Sequence, residues 1–344
     1  MPTLILTGDV NLMNVTDPSV PFRKVAAALH EADAVFGNLE CCLHLPGARS
    51  HATEGFFADP KVGGEAMQLS GIHAVGIANN VNYGTENISA SIARLDQVGV
   101  LHTGAGRNLK AARAPAIIAR NGLRVGVLQR SSVYWPTDHE AHEDSPGIAV
   151  IQGHTAYHVP MARIAPHIPP PNRPGLPPVI VTWADARYLA EFRNDIAALR
   201  PQVDVVVASC HWGLGREPLQ YMTEIAHAAI DPGADIVVGH GPHYSLPVEV
   251  YKGRPIFYGL GNLTFNTGHG GRKHGGWIGM LVALTIEEGK ATACDFRFVR
   301  SNDADESYFC RPADETETLD DLSARSGKLG AKLEVNGDRI RVLS

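Results

Sequence analysis

Short aliphatic runs alternate with segments of helical periodicity along most of the chain. The aliphatic runs predict β-strands over Thr3–Thr7, Ala34–Gly37, Ala74–Ile77, Arg124–Leu128, Val203–Ser209, Ile236–Val238 and Pro255–Tyr258. Apolar residues spaced three and four positions apart predict helices over Phe22–Glu31, Asn87–Val98, Leu189–Leu199 and Leu219–Ile230. Such alternation is typical of α/β proteins in which much of the sheet is parallel.

The end of the chain follows a different pattern. Two longer strands, joined by a hairpin, are predicted over Gly279–Ile286 and Ala291–Val299. Asn336-Gly337 stands between two further alternating runs and predicts a hairpin with a type I′ turn. We therefore expect one domain over residues 1–300, with an insertion at about 150–180, and a C-terminal extension over residues 301–344 that contains the hairpin.

Two segments are too rich in proline or glycine for regular structure. His167–Pro178 lacks so many backbone amides that it predicts neither a helix nor a central strand. It is either a semi-rigid lid or a surface connection. Asn266–Trp277 combines glycines with basic residues, and it is either a mobile loop that closes on an anionic substrate or a surface turn.

Composition narrows the class of protein. The chain has 344 residues, of which 44% are hydrophobic and 19% are charged, as in soluble globular proteins. Its net charge of -6 gives no electrostatic reason to expect nucleic acid or an anionic membrane as a partner. No stretch approaches the roughly 18 apolar residues of a membrane span, and the first strand does not resemble a signal peptide. We therefore expect a cytoplasmic protein.

The cysteines favour neither a disulfide framework nor a structural zinc site. Their number is odd and no Cys-x-x-Cys spacing occurs among Cys41, Cys42, Cys210, Cys294 and Cys310. We interpret Cys41 and Cys42 as small apolar residues of the core.

Polar residues follow one predicted strand after another. They are Asp9, Asn38, Glu40, Asn79, Asn80, His211, His240, His243 and Asn262. In a parallel sheet the carboxyl ends of the strands share one edge, and ligands bind there. Asp9 or Asn38 could instead cap a helix, and Asn80 could occupy a left-handed turn. We expect the whole set to converge on that edge.

Carboxylate and amide oxygens combined with imidazole nitrogens suit a divalent metal. Zinc, manganese or iron fits this mixture, and calcium or magnesium fits if more oxygens and waters take part. Such a metal can activate water and polarise a carbonyl or phosphoryl oxygen. A neighbouring histidine whose pKa lies near neutral could transfer protons.

The ordered motifs resemble the capsule-synthesis CapA family. They read "GDV", "GNLE", "IANNVNYG", "HTGAGRNLKAARAP", "DVVVASCHWG" and "GADIVVGHGPHYSLPVEVYKGRPIFYGLGNLTF", and they cover Thr3 to Phe265 apart from the proline-rich stretch. The family is similar to the calcineurin-like metallophosphoesterases. The resemblance implies an α/β fold, a calcineurin-like four-layer α/β/β/α sandwich, with one or two metal ions at the strand carboxyl ends. It also implies that "GAGRN" is a structural turn.

Within this resemblance, residues carry over one at a time. The implied metal ligands are Asp9, Glu40, Asn80, His211, His240 and His243. Asn38 accompanies Glu40, and Asn262 fits the Gly-Asn before the last apolar strand. The chain departs from the family at Val81, where the family usually has histidine, and at Gly241, where the usual second histidine is missing. Without the histidine at position 81, plain phosphoesterase chemistry lacks its proton donor toward a leaving group.

Three hypotheses follow. The leading one is a metal-dependent hydrolase of an amide, peptide-like or small carboxylated substrate, with Asp9, His211 and His243 in catalysis. Arg216, Arg130 or Arg272 would hold a substrate carboxylate, because the guanidinium fork matches it. The second is a metal-dependent peptide epimerase that removes and returns a Cα proton. The third is a non-catalytic accessory factor in capsule or polyglutamate synthesis. A homo-oligomer is compatible with all three.

Overall fold

The structure is a computed structural model that describes residues 1–45, 56–161, 165–268, 272–273 and 275–344. Its helices are α1 (Ala26–His30), α2 (Pro60–Ser70), α3 (Thr85–Val98), α4 (Leu109–Arg113), α5 (Ala186–Leu199), α6 (Gln220–Ile230) and α7 (Thr316–Gly327). Its strands are β1 (Thr3–Asn11), β2 (Ala34–Leu39), β3 (Ala74–Gly76), β4 (Leu101–Thr103), β5 (Ala105–Gly106), β6 (Ala116–Arg120), β7 (Leu123–Ser131), β8 (Gly147–Ile148), β9 (Gly153–His158), β10 (Val179–Ala184), β11 (Val205–His211), β12 (Ile236–His240), β13 (Val248–Tyr251), β14 (Arg254–Phe257), β15 (Asn262–Phe265), β16 (Gly279–Glu287), β17 (Lys290–Ser301), β18 (Ser307–Cys310), β19 (Lys332–Asn336) and β20 (Arg339–Leu343).

Every strand predicted from an aliphatic run coincides with an observed strand. Several continue beyond their prediction into the polar residues, so that Asp9 and His211 lie inside β1 and β11. Three of the four predicted helices are found within a few residues of their predicted bounds. The fourth, predicted over Phe22–Glu31, is helical only over Ala26–His30 because turns occupy the residues before it.

Two sheets form the centre of the molecule. The larger has the order β19-β20-β17-β16-β1-β2-β3-β4, with β15 paired to β1 and β18 paired to β17. Its strands β1, β2, β3 and β4 run parallel, and β15 is parallel to β1. The smaller has the order β13-β14-β12-β11-β7-β6, with β7, β11, β12 and β14 parallel. Each sheet therefore brings the carboxyl ends of several strands to one edge.

Three buried apolar layers show how the sheets and helices pack. The layer between the two sheets contains Phe36, Val125, Val207, Phe257 and Phe296. A second layer covers the outer face of the larger sheet with side chains of α1, α2 and α3, namely Leu29, Met67 and Ile88. A third covers the outer face of the smaller sheet with side chains of α5 and α6, namely Ile196, Met222 and Ile225. The α/β/β/α sandwich is therefore confirmed.

The segment predicted to be an insertion contains a two-stranded antiparallel ribbon, and its status as an insertion stays a prediction. Strands β9 and β10 pair from Gly153↔Ala184 to His158↔Val179, so residues 159–178 connect them at the far end. The near end docks on α6, where the Ala184 amide donates to Glu224 Oε2 at 2.8 Å. The proline-rich stretch thus lies at the exposed tip of the ribbon, and its role as a lid stays a prediction.

The predicted C-terminal hairpin is present, but its turn is not type I′. Asn336 pairs with Arg339, so the two turn residues are Gly337 and Asp338, one position later than predicted. Gly337 has a φ of 64°, whereas Asp338 is not in the left-handed region that a type I′ turn requires at both positions. The hairpin joins the larger sheet through the pairing of β20 with β17. A domain boundary at residue 300 stays a prediction.

None of the helices in the described ranges is long and apolar enough to cross a membrane.

Candidate metal centre

The carboxyl edges of both sheets meet at one cluster of polar side chains. In the larger sheet Asp9 lies beside both Asn38 and Asn262 in the strand registers. In the smaller sheet His211 lies beside His240. The convergence expected from the sequence therefore arises from two sheets rather than from one.

Asp9 is the centre of this cluster, and its side chain is fully buried. Its Oδ1 accepts a hydrogen bond from Asn38 Nδ2 at 2.9 Å and lies 3.1 Å from His240 Nδ1. Its Oδ2 lies 3.2 Å from His243 Nδ1. Gly8 makes this placement sterically allowed, because a Cβ there would lie 2.2 Å from the Gly261 carbonyl oxygen.

Glu40 completes a group of three candidate ligands. Its Oε1 lies 3.6 Å from His243 Nε2, and its Oε2 accepts from Asn38 Nδ2 at 3.4 Å. One ligand atom from each of Asp9, Glu40 and His243 lies within 4.8 Å of the others. Two carboxylates and an imidazole at this spacing match the ligand chemistry of a divalent cation.

His243 reaches this position through an uncommon backbone conformation. Its φ is 61°, and Gly241, two residues earlier, has a φ of 109°. A Cβ at Gly241 would lie 3.1 Å from the His211 ring, so the turn also depends on the missing side chain. A left-handed histidine costs free energy, and such residues persist where the surrounding structure requires them, often at functional sites. The left-handed conformations of Gly241 and His243 thus turn the chain so that both His240 and His243 face Asp9.

A second group lies next to the first. Nε2 of His211 is 2.8 Å from Oδ1 of Asn80, and the Asn80 carbonyl accepts from Trp135 Nε1 at 2.8 Å. Asn80 belongs to the loop after β3, and Trp135 belongs to the loop after β7. The predicted ligands thus form two adjoining sets, with Asp9, Glu40, His240 and His243 in one and Asn80 with His211 in the other.

Burial and the two histidines His240 and His243 shift the pKa of Asp9 in opposite directions. Burial by itself would raise the pKa of this carboxyl, but its close contacts with the His240 and His243 rings hold the pKa well below its usual range. Burial and then the negative charge of Asp9 raise the pKa of Glu40 well above its usual range. Burial also lowers the pKa of His211 to about 3, so this imidazole is neutral at pH 7. A neutral imidazole is the form that ligates a metal.

Several buried polar atoms at the centre lack partners. Among the described residues, no hydrogen bond is made by Asp9 Oδ2, His211 Nδ1, His240 Nε2 or Asn262 Nδ2. The approach of His243 to Asp9 Oδ2 is an ion contact without hydrogen-bond geometry. A buried polar group without a partner costs about 1 to 3 kcal/mol. A cation would give Asp9 Oδ2 and His240 Nε2 the partners they lack, so the residues present fit a metal.

The three arginines predicted to bind substrate lie in different places. Arg130 is buried on the face of β7 that packs against α5, and its Nη2 lies 2.5 Å from Asp195 Oδ2. The structure therefore does not bring Arg130 to the metal centre, because adjacent residues of a strand point to opposite faces and Gln129 takes the inner one. Arg216 is exposed and lies over the Tyr244 ring, with 4.3 Å from Cζ to the ring centroid.

Arg272 is exposed, and its carbonyl accepts from the Gly268 amide at 2.8 Å. The prediction of a loop that closes over substrate at Asn266–Trp277 falls partly outside the described residues, because His269 and His274 are not among them. For the described part of this segment, closure stays a prediction.

Sequence reasoning missed two residues that donate hydrogen bonds to Asn38 and Asn80 of the candidate metal centre. Gln129 donates to Asn38, and Trp135 donates to the Asn80 carbonyl. A signal for the first is present in the sequence, because a glutamine inside the aliphatic run "RVGVLQ" is uncommon in a strand that is buried on both faces. No local pattern identifies Trp135.

Comparisons with known proteins agree on one family. The sequence model of the family described as bacterial capsule synthesis protein PGA_cap matches residues 3–267. Capsule biosynthesis protein CapA of Bacillus anthracis is 26% identical over 312 residues, which are 83% of this chain and 68% of that protein. A probable polyglutamine synthesis accessory protein of Mycobacterium tuberculosis is 29% identical over 198 residues, which are 56% of this chain and 44% of that protein.

Two further comparisons bear on length and fold. An uncharacterized protein of Sinorhizobium fredii is 25% identical over 309 residues, which are 77% of this chain but 66% of that protein. The chain therefore spans just under two thirds of that relative. A crystal structure of a hypothetical protein from Thermus thermophilus superposes with a TM-score of 0.50 at 14% identity, covering 86% of this chain and 98% of that chain. That likeness concerns the fold alone.

Proposed function

Because this chain belongs to the bacterial capsule synthesis protein family PGA_cap, we propose that it is a metal-dependent hydrolase of a carboxylated amide or peptide-like substrate. The observation that carries the proposal is the cluster of Asp9, Glu40 and His243, whose ligand atoms lie within 4.8 Å of one another. Relatives named for capsule biosynthesis and polyglutamine synthesis support an amide substrate, since a polyglutamine chain is joined by amide bonds.

Asp9, Glu40, His240 and His243 would hold the cation, with Asn80 and His211 beside them. When bound, a divalent cation supplies electrophilic activation of a carbonyl and of water. Asn38 donates to both carboxylates and holds them at a fixed separation. His211 is buried and neutral, and its Nδ1 makes no hydrogen bond among the described residues, so this nitrogen is free to ligate a cation.

Arg216 is the arginine best placed for a substrate carboxylate. It is exposed and stacks on Tyr244, which directly follows His243. Arg325 holds the loop that carries Arg216 in place, because it donates to the Arg216 carbonyl and lies 3.3 Å from the Glu217 carboxylate. A guanidinium held on an aromatic ring loses less conformational freedom on binding, which favours recognition of an anion.

One observation favours a second candidate, the peptide epimerase. Val81 stands where the family usually has histidine, and it is buried at 4% exposure. This position therefore offers no proton to a leaving group. Removal and return of a Cα proton requires no leaving group, so this chemistry tolerates valine there.

The first experiment measures metal content by plasma mass spectrometry on protein purified without added metal. Wild type is compared with Asp9→Asn, His243→Ala and the control His227→Ala, whose imidazole pairs with Glu249 elsewhere. We expect about one or two equivalents of metal in wild type and in the control, and loss of metal in both site variants. Metal that survives in the site variants, or a wild type that takes up none on soaking, contradicts the proposal.

A second experiment separates the reactions. The metal-loaded protein is incubated with glutamyl peptides in deuterium oxide and the products are analysed by mass spectrometry. Cleavage of the amide bond supports the hydrolase. Deuterium at Cα without cleavage supports the epimerase. A protein that holds metal in the first experiment but changes no glutamyl peptide supports an accessory role.

A further inference from the structure

Gln129 connects the smaller sheet to the candidate metal centre. It lies in β7, is fully buried, and points into the layer between the sheets. Its Oε1 accepts from the backbone amide of Ala78 at 2.7 Å, and its Nε2 donates to Asn38 Oδ1 at 3.0 Å. Its two polar atoms therefore have one partner each, and both partners belong to the larger sheet or the loop that follows it.

These contacts determine which way both side-chain amides face. A backbone N–H only donates, so the Ala78 amide requires Oε1 of Gln129 on its side and leaves Nε2 for Asn38. Asn79 Nδ2 also donates to Asn38 Oδ1, at 3.2 Å. With two donors on its oxygen, Asn38 must present Nδ2 to Asp9 Oδ1 at 2.9 Å and to Glu40 Oε2 at 3.4 Å.

Two glycines leave the space that the Gln129 side chain occupies. A Cβ at Gly76 would lie 2.3 Å from Gln129 Cδ, and a Cβ at Gly104 would lie 2.8 Å from Gln129 Oε1. Gly104 also has a φ of 92°, which disfavours any other residue. The carboxamide is thus enclosed on both sides and has little freedom to rotate.

We propose that Gln129 is a positioning residue that sets the orientation of Asn38 and thereby keeps a hydrogen-bond donor between Asp9 and Glu40. The proposal rests on the proposed function in one respect, namely that these carboxylates hold a metal. A donor to both carboxylates fixes their separation, whereas a reversed Asn38 would place its oxygen against theirs. The smaller sheet therefore contributes to the metal centre through a residue that touches no ligand directly.

The test uses calorimetric titration of the full chain with Mn²⁺ and with Zn²⁺. Gln129→Glu keeps the acceptor for Ala78 but loses the amide donor to Asn38, so one of the two hydrogen bonds that orient the Asn38 oxygen is removed. Gln129→Met removes both hydrogen bonds at similar volume. Ser209→Ala is the matched control, because Ser209 pairs with Gln129 in the β7–β11 register and its buried Oγ makes no hydrogen bond within the described part of the chain.

We expect both Gln129 variants to bind the metal about tenfold more weakly, because a misoriented Asn38 no longer serves as the hydrogen-bond partner of two ligand carboxylates, and Ser209→Ala to stay within about twofold. Thermal unfolding of each metal-free variant accompanies the titration, because a merely structural role lowers the melting temperature without changing the affinity. Folded Gln129 variants that bind the metal as wild type does overturn the proposal.

A second measurement tests the hydrogen bond between Gln129 and Asn38 in the metal-free protein. Gln129→Met and Asn38→Ala are combined in a double-mutant cycle on the unfolding equilibrium of the metal-free protein. We expect the change in the unfolding equilibrium constant of the double variant to differ about threefold or more from the product of the two single changes. Independent effects of the two substitutions overturn the proposal. If wild type binds no metal at all, the proposed function fails, and the cycle by itself decides whether Gln129 orients Asn38.

Discussion

The side chains of His211 and Asn80 meet although 131 positions separate them, with 2.8 Å between Nε2 and Oδ1. One comes from the end of β11 in the smaller sheet, and the other from the loop after β3 in the larger sheet. The contact therefore connects the two sheets at the edge of the candidate metal centre. Asn80 keeps its place partly through Trp135, which donates to its carbonyl at 2.8 Å.

We predict that Trp135→Phe weakens metal binding by about three- to tenfold, since it removes the hydrogen bond that holds the Asn80 loop and keeps most of the ring. The matched control is Trp183→Phe, because Trp183 is exposed to 41%, nearly as Trp135 is at 42%, and stacks on His154 in the ribbon. Calorimetric titration measures both. Equal affinities for the two variants would show that the Asn80 loop holds its position without Trp135.

Replacement of Arg216 tests substrate recognition. We expect Arg216→Ala to raise KM for a carboxylated peptide about tenfold while kcat changes by less than about twofold, because the interaction is made in the ground state and the transition state alike. The control Arg311→Ala removes an exposed arginine that pairs with Asp314. An uncharged carboxamide analogue should bind wild type and Arg216→Ala equally. A lower kcat with unchanged KM would place Arg216 in the chemical step instead.

His139 makes stability depend on pH. Its Nδ1 accepts from the Trp135 amide at 3.0 Å and its Nε2 lies 3.1 Å from the Asn82 carbonyl, so the ring is neutral in the folded state. Burial lowers its pKa from 6.5 to about 4. Between these values the unfolded chain binds a proton that the folded chain does not, so stability decreases as pH falls from 6.5 to about 4 and shows no further loss from His139 below that.

The loss from His139 is about 3 kcal/mol at most. Urea unfolding of metal-free wild type and His139→Gln at several pH values between 7 and 4 measures it. The stability difference between the two proteins should shift in favour of the variant as pH falls, while contributions from His211 cancel because both proteins contain it. Parallel pH profiles would contradict the burial of a neutral His139.

Gly8→Ala should destabilise the fold and displace Asp9. The added Cβ would lie 2.2 Å from the Gly261 carbonyl oxygen, which accepts from the Asp9 amide at 2.9 Å. We expect a loss of about 2 to 3 kcal/mol in unfolding free energy. Gly327→Ala is the control, because an added Cβ there meets no atom of the described residues within 4 Å. It should change stability by less than about 1 kcal/mol, and similar effects from both changes would contradict the close approach at Gly8.

Much of the architecture could be predicted from the sequence because its cause is local. Aliphatic runs such as Ile236–Val238 are buried on both faces of a sheet, and burial selects their composition. The position of the C-terminal turn was predicted one residue early for the opposite reason. The register of β19 against β20 reflects which face of the hairpin is buried as well as the turn itself, and Asn336-Gly337 alone does not contain that information.

By itself the sequence determined the strand-and-helix alternation and the polar residues at the strand ends, because these follow from periodicity and from the geometry of parallel sheets. Only the tertiary structure decided which of two neighbours in β7 supports the metal centre. Sequence reasoning named Arg130 as one of three arginines for a substrate carboxylate and passed over Gln129, yet Arg130 faces α5 and Gln129 faces Asn38. Adjacent residues of a strand point to opposite faces, and the inner face is defined by how the second sheet packs on the first.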